Sequence, residues 1–139
     1  MEILLVEDGL LDAQITLAAL TQCHIHHRVT LIRTVREAIQ FLSKQAVFAR
    51  APSPDLVLLD LLLLDGEGHE VLQFIRQTTD IEDTPVVILT ASTDYEDRVA
   101  CNSLTVDDYI LKPFDVGQFL RVVRENRRLH IHDGPIVAT

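Results

Sequence analysis

The 139 residues are 47% hydrophobic and 24% charged, enough apolar mass for one domain with a proper core. Twelve basic against 21 acidic residues give a net charge of −9, which repels phosphate backbones; with no dense Lys/Arg stripe to overcome it, direct nucleic-acid binding is not expected. No apolar run reaches the roughly 18 residues of a membrane span, and MEILLVED lacks a leader's basic n-region and cleavage site, so a soluble, non-exported, cytoplasmic protein is expected.

Ile3–Val6 is a short apolar run closed by two acids, Glu7 and Asp8, and reads as a first buried strand with Gly9 in the turn after it. A helix follows from about Leu11 to Thr21, its stripe being Leu10, Ile15, Leu17, Ala18 and Leu20. Val29–Arg33 is a second strand. Thr34 stands three residues before Glu37, the spacing of a capping box, and opens a helix through about Gln45. The stretch 46–54, AVFARAPSP, reads as a surface loop because of its two prolines. Leu56–Leu59 is an unbroken apolar run that Asp60 closes, as expected for a parallel strand buried on both faces. Leu61–Gly68 is a looser segment leading to a helix near His69–Gln77, with Val71, Leu72 and Ile75 inward.

Pro85 introduces Val86–Leu89, a fourth strand ending at Thr90. A helix over Tyr95–Ser103 and a fifth strand, Asp108–Leu111, follow, and Lys112-Pro113 ends that strand. Asp115 caps a last helix from Val116 to about Leu129, its inward face being Val116, Phe119, Leu120 and Val123. The tail, His130–Thr139, contains Gly134 and Pro135 and is expected to be poorly ordered. Short apolar strands alternating with helices imply a single α/β domain over residues 1–129, a parallel sheet with helices on both faces, plus a tail over 130–139. Cys23 and Cys101 have no motif spacing and read as free thiols in a reducing compartment.

What ends each strand carries the chemistry. Glu7 and Asp8, Asp60, Thr90 and Lys112 fall at strand ends that share one edge of a parallel sheet. Converging carboxylates raise one another's pKa unless a cation intervenes, and a hard divalent ion with oxygen ligands, most naturally Mg²⁺, answers that need. With an ammonium and a hydroxyl beside them they form a receptacle for a phosphoryl group, with Asp60 as nucleophile. The alternative at this point is a structural salt-bridge cluster.

The motifs LLVED (Leu4–Asp8), PDLVLLD (Pro54–Asp60), GHEVL (Gly68–Leu72), PVVILTA (Pro85–Ala91) and DDYILKPF (Asp107–Phe114), in this order, resemble the receiver domains of two-component response regulators over roughly residues 1–128. The resemblance implies a flavodoxin-like, doubly wound five-stranded sheet of order 2-1-3-4-5. It implies Asp60 as phosphoacceptor, Glu7, Asp8, Asp60 and the Leu62 carbonyl as ligands of Mg²⁺ (or Mn²⁺), and Thr90, Ala91, Lys112 and Tyr109 at the phosphate-binding and switch positions. Lys112-Pro113 is the bond the family holds in cis. The phosphoryl donor so implied is a histidine kinase. A nearer likeness is to the small regulators that partner cyanobacterial phytochrome kinases, which also carry an Asp four residues after VED (here Asp12) and an enlarged loop before the third strand; like them, this chain is expected to carry no output domain.

Two positions depart from the family. Leu62 stands where small polar residues such as Asn are frequent, and Leu64 where Pro is usual. An apolar Leu62 beside the phosphoryl group is expected to hinder an attacking water and slow dephosphorylation. Losing Pro is expected to loosen the loop, and the four leucines Leu61–Leu64 to leave an apolar docking patch at the rim. Leu62 also stands where aspartyl phosphatases carry a second Asp as general acid, which counts against a turnover enzyme; the complete set of acids, Thr90 and Lys112 counts against an unphosphorylated pseudo-receiver. Cys23, His24, His26 and His27 match no zinc spacing and read as structural or solvated, like His130 and His132 in the tail. Arg121, Arg124, Arg127 and Arg128 read as a solvated helix face. The rival is a surface pairing with Asp97, Asp107 and Asp108 in a homodimer through the fourth helix, the fifth strand and the fifth helix.

Overall fold

A computed structural model describes residues 1–23, 25–91 and 104–126. The helix expected over Tyr95–Ser103, the tail His130–Thr139, and with them His24, Asp97, Cys101, Arg127 and Arg128, lie outside the described residues.

Five parallel strands, β1 (Glu2–Val6), β2 (Arg28–Ile32), β3 (Leu56–Asp60), β4 (Val86–Thr90) and β5 (Asp108–Leu111), form one sheet in the order β2-β1-β3-β4-β5. This is the expected doubly wound order. Alternate residues of each strand feed two separate cores. Leu4, Val6, Val57, Leu59, Val86 and Ile88 face α2 (Val35–Leu42) and α3 (Gly68–Arg76). Ile3, Leu5, Leu56, Leu58, Val87, Leu89 and Ile110 face α1 (Leu10–Thr21) and the last helix (Val116–Glu125). In the inner strands β1, β3 and β4, with both faces covered, neither parity can be polar, which is why they read as unbroken apolar runs, whereas the edge strands β2 and β5 carry Thr30 and Asp108.

The helices depart from expectation in three places. In α1 the buried residues are Ala13, Thr16, Ala19 and Leu20, while Leu10 and Ala18 are exposed and Ile15 and Leu17 half-buried. Three of the four inward side chains are small, so the inward face is not the helix's greasiest one. In the last helix Val122 is buried with Phe119 and Val123, and Val116 and Leu120 only pack partly against them. The expected cap is present: the Asp115 carboxylate accepts from the amides of Gly117 at 3.1 Å and Gln118 at 3.2 Å.

Helix α2 stops at Leu42, three residues before the expected end. Lys44 turns left-handed at φ 57°, and the amides of Lys44 and Gln45 close back onto the carbonyls of Phe41 at 3.2 Å and Gln40 at 2.9 Å. This double closure usually has glycine at the left-handed position. A lysine there pays a steric cost of about 1–2 kcal/mol, part of which glycine's greater unfolded-state freedom offsets. Lys44→Gly is therefore expected to stabilise the fold by about 0.5 kcal/mol, read as a rise in Tm of roughly 2 °C. A lowered Tm would contradict this account of the helix end.

Candidate functional site: an acidic strand-edge cluster

The sheet brings the ends of β1, β3, β4 and β5 to one edge, and a cavity of about 310 Å³ opens there. Its lining is Glu7, Asp8, Gly9, Asp12, Asp60, Leu61, Leu62, Thr90, Ala91 and Lys112. Of the residues singled out from sequence, Tyr109 is not part of this lining; its side chain packs, half-buried, against the core under α2 and α3. The Lys112-Pro113 peptide is cis, and the Lys112 amide donates to the Thr90 carbonyl at 2.7 Å.

Lys112 is the electrostatic hub. Its ammonium lies 2.8 Å from Glu7 Oε1, 3.2 Å from Asp60 Oδ2 and 3.2 Å from Asp12 Oδ2. Burial works to lower its pKa, but Glu7 and Asp60 outweigh that and hold the ammonium above its ordinary value. Glu7 is 1% exposed and Asp60 8%. Burial, together with the neighbouring Asp60 carboxylate, pushes Glu7 up from 4.5 to about 7, while Lys112 and the Gly9 amide work in the other direction. Asp12 was legible only as a marker of likeness; its place in the first turn of α1, four residues after Asp8, is the signal that it reaches the same cavity.

Ligand oxygens of Glu7, Asp8 and Asp60 all lie within 4.8 Å of one another, so the three can hold a metal ion together. The donor set is all carboxylate, which suits a hard divalent cation. Glu7 Oε1, although beside Lys112, receives no aligned hydrogen bond, and an oxygen buried in that state is poised to coordinate. The main chain around the site is closely set. The Leu62 amide points at Asp60 Oδ1 at 3.3 Å, and the Arg33 guanidinium donates to the Asp8 carbonyl at 2.7 Å. A Cβ on Gly68 would collide with the Asp60 carbonyl oxygen, so a side chain at this position forces the strand end to move.

Because a metal needs Glu7 as carboxylate, protons compete with it. With Glu7 at about 7, the apparent affinity for Mn²⁺ is expected to be flat above that pH and to fall about tenfold per unit below it. Titration calorimetry across pH 5.5–8.5 in steps checks this, and a flat profile would contradict it.

The loop after Asp60 differs from expectation. Leu62–Leu63 pair antiparallel with Gly66–Glu67, and the Leu61 carbonyl accepts from the Gly68 amide at 2.7 Å, so the segment expected to be loose is a closed hairpin. Leu62 and Leu64 are 73% and 75% exposed, whereas Leu63 is buried.

The response regulator receiver domain model matches residues 3–124. The chain belongs to this receiver-domain family. Response regulator Rcp1 of Synechocystis is 35% identical to this receiver over 122 residues, which cover 88% of this chain and 83% of the relative. Among solved structures, the bacteriophytochrome response regulator RtBRR matches with a TM-score of 0.82 and 34% identity, over 93% of this chain and 77% of that one. The Mn²⁺-bound form of Rcp1 matches with a TM-score of 0.77 and 31% identity, over 99% and 96%.

One acid of the receiver is removed from the expected pairing surface. Asp107 is buried against Arg76 at 3.2 Å and accepts from the Val86 amide at 2.7 Å, so it cannot meet the arginines of the last helix in a partner. On that helix Arg121 pairs with Glu125 one turn on, at 3.1 Å. Among the described residues no helix is long and apolar enough to cross a membrane.

Proposed function

We propose that this receiver accepts a phosphoryl group on Asp60 from the phosphohistidine of a phytochrome-class histidine kinase, in a Mg²⁺-dependent reaction in the cytoplasm, and that the phosphorylated form changes its binding partner. The observation that carries this reading is a buried Asp60 at a strand end, 3.2 Å from the Lys112 ammonium and within the Glu7, Asp8 and Asp60 oxygen cluster. The phytochrome assignment is supported by the names of the relatives, Rcp1 and RtBRR.

Asp60 attacks phosphorus as the P–N bond to the donor imidazole breaks; the imidazole nitrogen keeps the electron pair and takes up a proton, and Asp60 becomes an acyl phosphate. Lys112 answers the charge on the new phosphoryl oxygens. Thr90, buried at the adjacent strand end, brings a hydroxyl, and Ala91 beside it adds little bulk at the cavity rim. Glu7, Asp8, Asp60 and the Leu62 carbonyl would hold the divalent ion, Mg²⁺ or Mn²⁺, which supplies further neutralisation of the phosphoryl oxygens. Thr90 and Tyr109 form the switch pair, through which the added charge biases a two-state surface. A homodimer through the last helix and β5 belongs to this reading, with Asp107 excluded from its contacts.

Incubation with Mg²⁺ and acetyl phosphate, followed by intact mass, tests the reading. One stable phosphoryl adduct, absent in Asp60→Asn, is the expected result. No adduct on the native protein would sink the reading, and continuous release of phosphate would turn it into a phosphatase. Leu62 projects its apolar side chain at the rim, so Leu62→Asn is expected to hasten loss of the adduct by about tenfold, or about 1.4 kcal/mol in barrier; an unchanged half-life would remove Leu62 as the cause of slow hydrolysis.

A further inference from the structure

Asp65 sits at the tip of the Leu62–Glu67 hairpin, yet its carboxylate is spent on another element. Its Oδ1 accepts from the Val35 amide at 2.7 Å and its Oδ2 from the Arg36 amide at 3.0 Å, the first two residues of α2. Thr34 caps the third, its hydroxyl accepting from the Glu37 amide at 3.1 Å. The orphan amides that open α2 are thus divided between a local cap and one supplied from 30 residues away. Slight burial works to raise the Asp65 carboxyl, but the amide donations from Arg36 and Val35 outweigh it and hold it below its ordinary value.

The two ends of the hairpin are differently occupied. At its base, the Leu62 amide faces the Asp60 carboxylate and the Leu61 carbonyl is bonded to Gly68. At its tip, Leu64 is exposed and packs against neither of the two cores of the described residues. A two-residue antiparallel pair is too small to fix itself in water. The tip clamp adds a constraint at the end opposite the Leu61–Gly68 bond, beyond what buried Leu63 supplies.

We propose that Asp65 is a positioning residue for the acidic site: by fastening the hairpin tip to α2 it fixes the Leu62 main chain against Asp60, and so sets divalent-ion affinity and phosphoryl acceptance. This rests on the proposed function for its phosphorylation arm, and on the oxygen cluster alone for its metal arm.

The test compares Asp65→Ala, Asp65→Asn and Thr34→Ala by Mn²⁺ titration calorimetry and by adduct formation with acetyl phosphate. Thr34→Ala removes a cap from the same helix end without touching the hairpin. Loss of a partner that orients a ligand typically costs tenfold or more, so Asp65→Ala is expected to weaken Mn²⁺ binding about tenfold. Asp65→Asn keeps a carbonyl oxygen for one of the two amides, so it is expected to fall between, and it serves if the alanine variant does not fold. Thr34→Ala is expected to lower Tm but leave the Mn²⁺ affinity within twofold of the native protein. Native affinity in both Asp65 variants, or equal weakening in Thr34→Ala, overturns the proposal. If the native protein takes no phosphoryl group, the functional reading fails while the Mn²⁺ comparison still decides the role of Asp65.

Discussion

Lys112→Met is expected to slow phosphoryl acceptance by Asp60 by about two to three orders of magnitude, the usual cost of removing one preorganised group that meets developing charge. The ammonium lies 3.2 Å from Asp60 Oδ2, and methionine keeps its bulk while removing the charge. A time course of adduct formation by intact mass measures the effect, and a rate within twofold of native would remove Lys112 from the reaction. The same variant is expected to lose stability in the metal-free state. The native lysine's folded pKa is raised above 10.5, so its contribution is fully present below that pH and is lost only as pH rises through the folded value. At pH 8 the native Glu7 is a carboxylate held beside the Lys112 ammonium, whereas the variant buries it beside Asp60 with no cation, so Glu7 must take up a proton to fold; the loss is at most about 3–5 kcal/mol. At pH 5 the loss should shrink, because Glu7, raised to about 7, is already protonated there. A deficit in urea unfolding that is the same at both pH values would contradict this.

Arg76→Ala is expected to destabilise the fold by about 3–5 kcal/mol, the scale for breaking a buried ion pair from one side. The guanidinium donates to the carbonyls of Thr105 at 2.9 Å, Glu82 at 3.0 Å and Thr84 at 2.6 Å, and to Asp107 at 3.2 Å. Its side chain is 10% exposed and that of Asp107 4%. It ties the segment entering β5 to the segment entering β4, at the sheet edge opposite the acidic cluster. Against a total stability of roughly 5–15 kcal/mol this approaches the limit of folding. Urea unfolding measures it, and a loss under about 1 kcal/mol would show the pair to be replaceable by water. Mn²⁺ affinity of the folded fraction should be unchanged, since the two sites share no residue.

These two residues differ in how far the sequence exposes them. Lys112 ends an apolar run and precedes a proline, so its place at the sheet edge follows once β5 is recognised. Arg76 is one arginine on an otherwise ordinary helix end, and nothing local distinguishes it from the exposed Arg121. The same holds for Asp65, which reads as a turn residue before Gly66; Asp12 is intermediate, since its spacing from Asp8 is legible but its contact with Lys112 spans 100 residues. Exposed Leu10 and buried Thr16 in α1 show the converse, since hydropathy alone put the wrong residue inside.

The sequence by itself determined the strands, their order of chemistry-bearing ends and hence the cluster of Glu7, Asp8, Asp60, Thr90 and Lys112. It could do so because a strand covered on both faces has no polar parity, and a parallel sheet sends every such end to one edge. Tertiary structure alone decided where α2 stops, which face α1 buries, that Asp107 belongs to Arg76, and that Asp65 clamps the hairpin after Asp60 onto α2. The Asp107 and Asp65 contacts depend on polar groups 30 or more residues apart meeting, the α1 face on which side chains the sheet accommodates, and the end of α2 on a left-handed lysine where glycine is usual; no local periodicity records any of them.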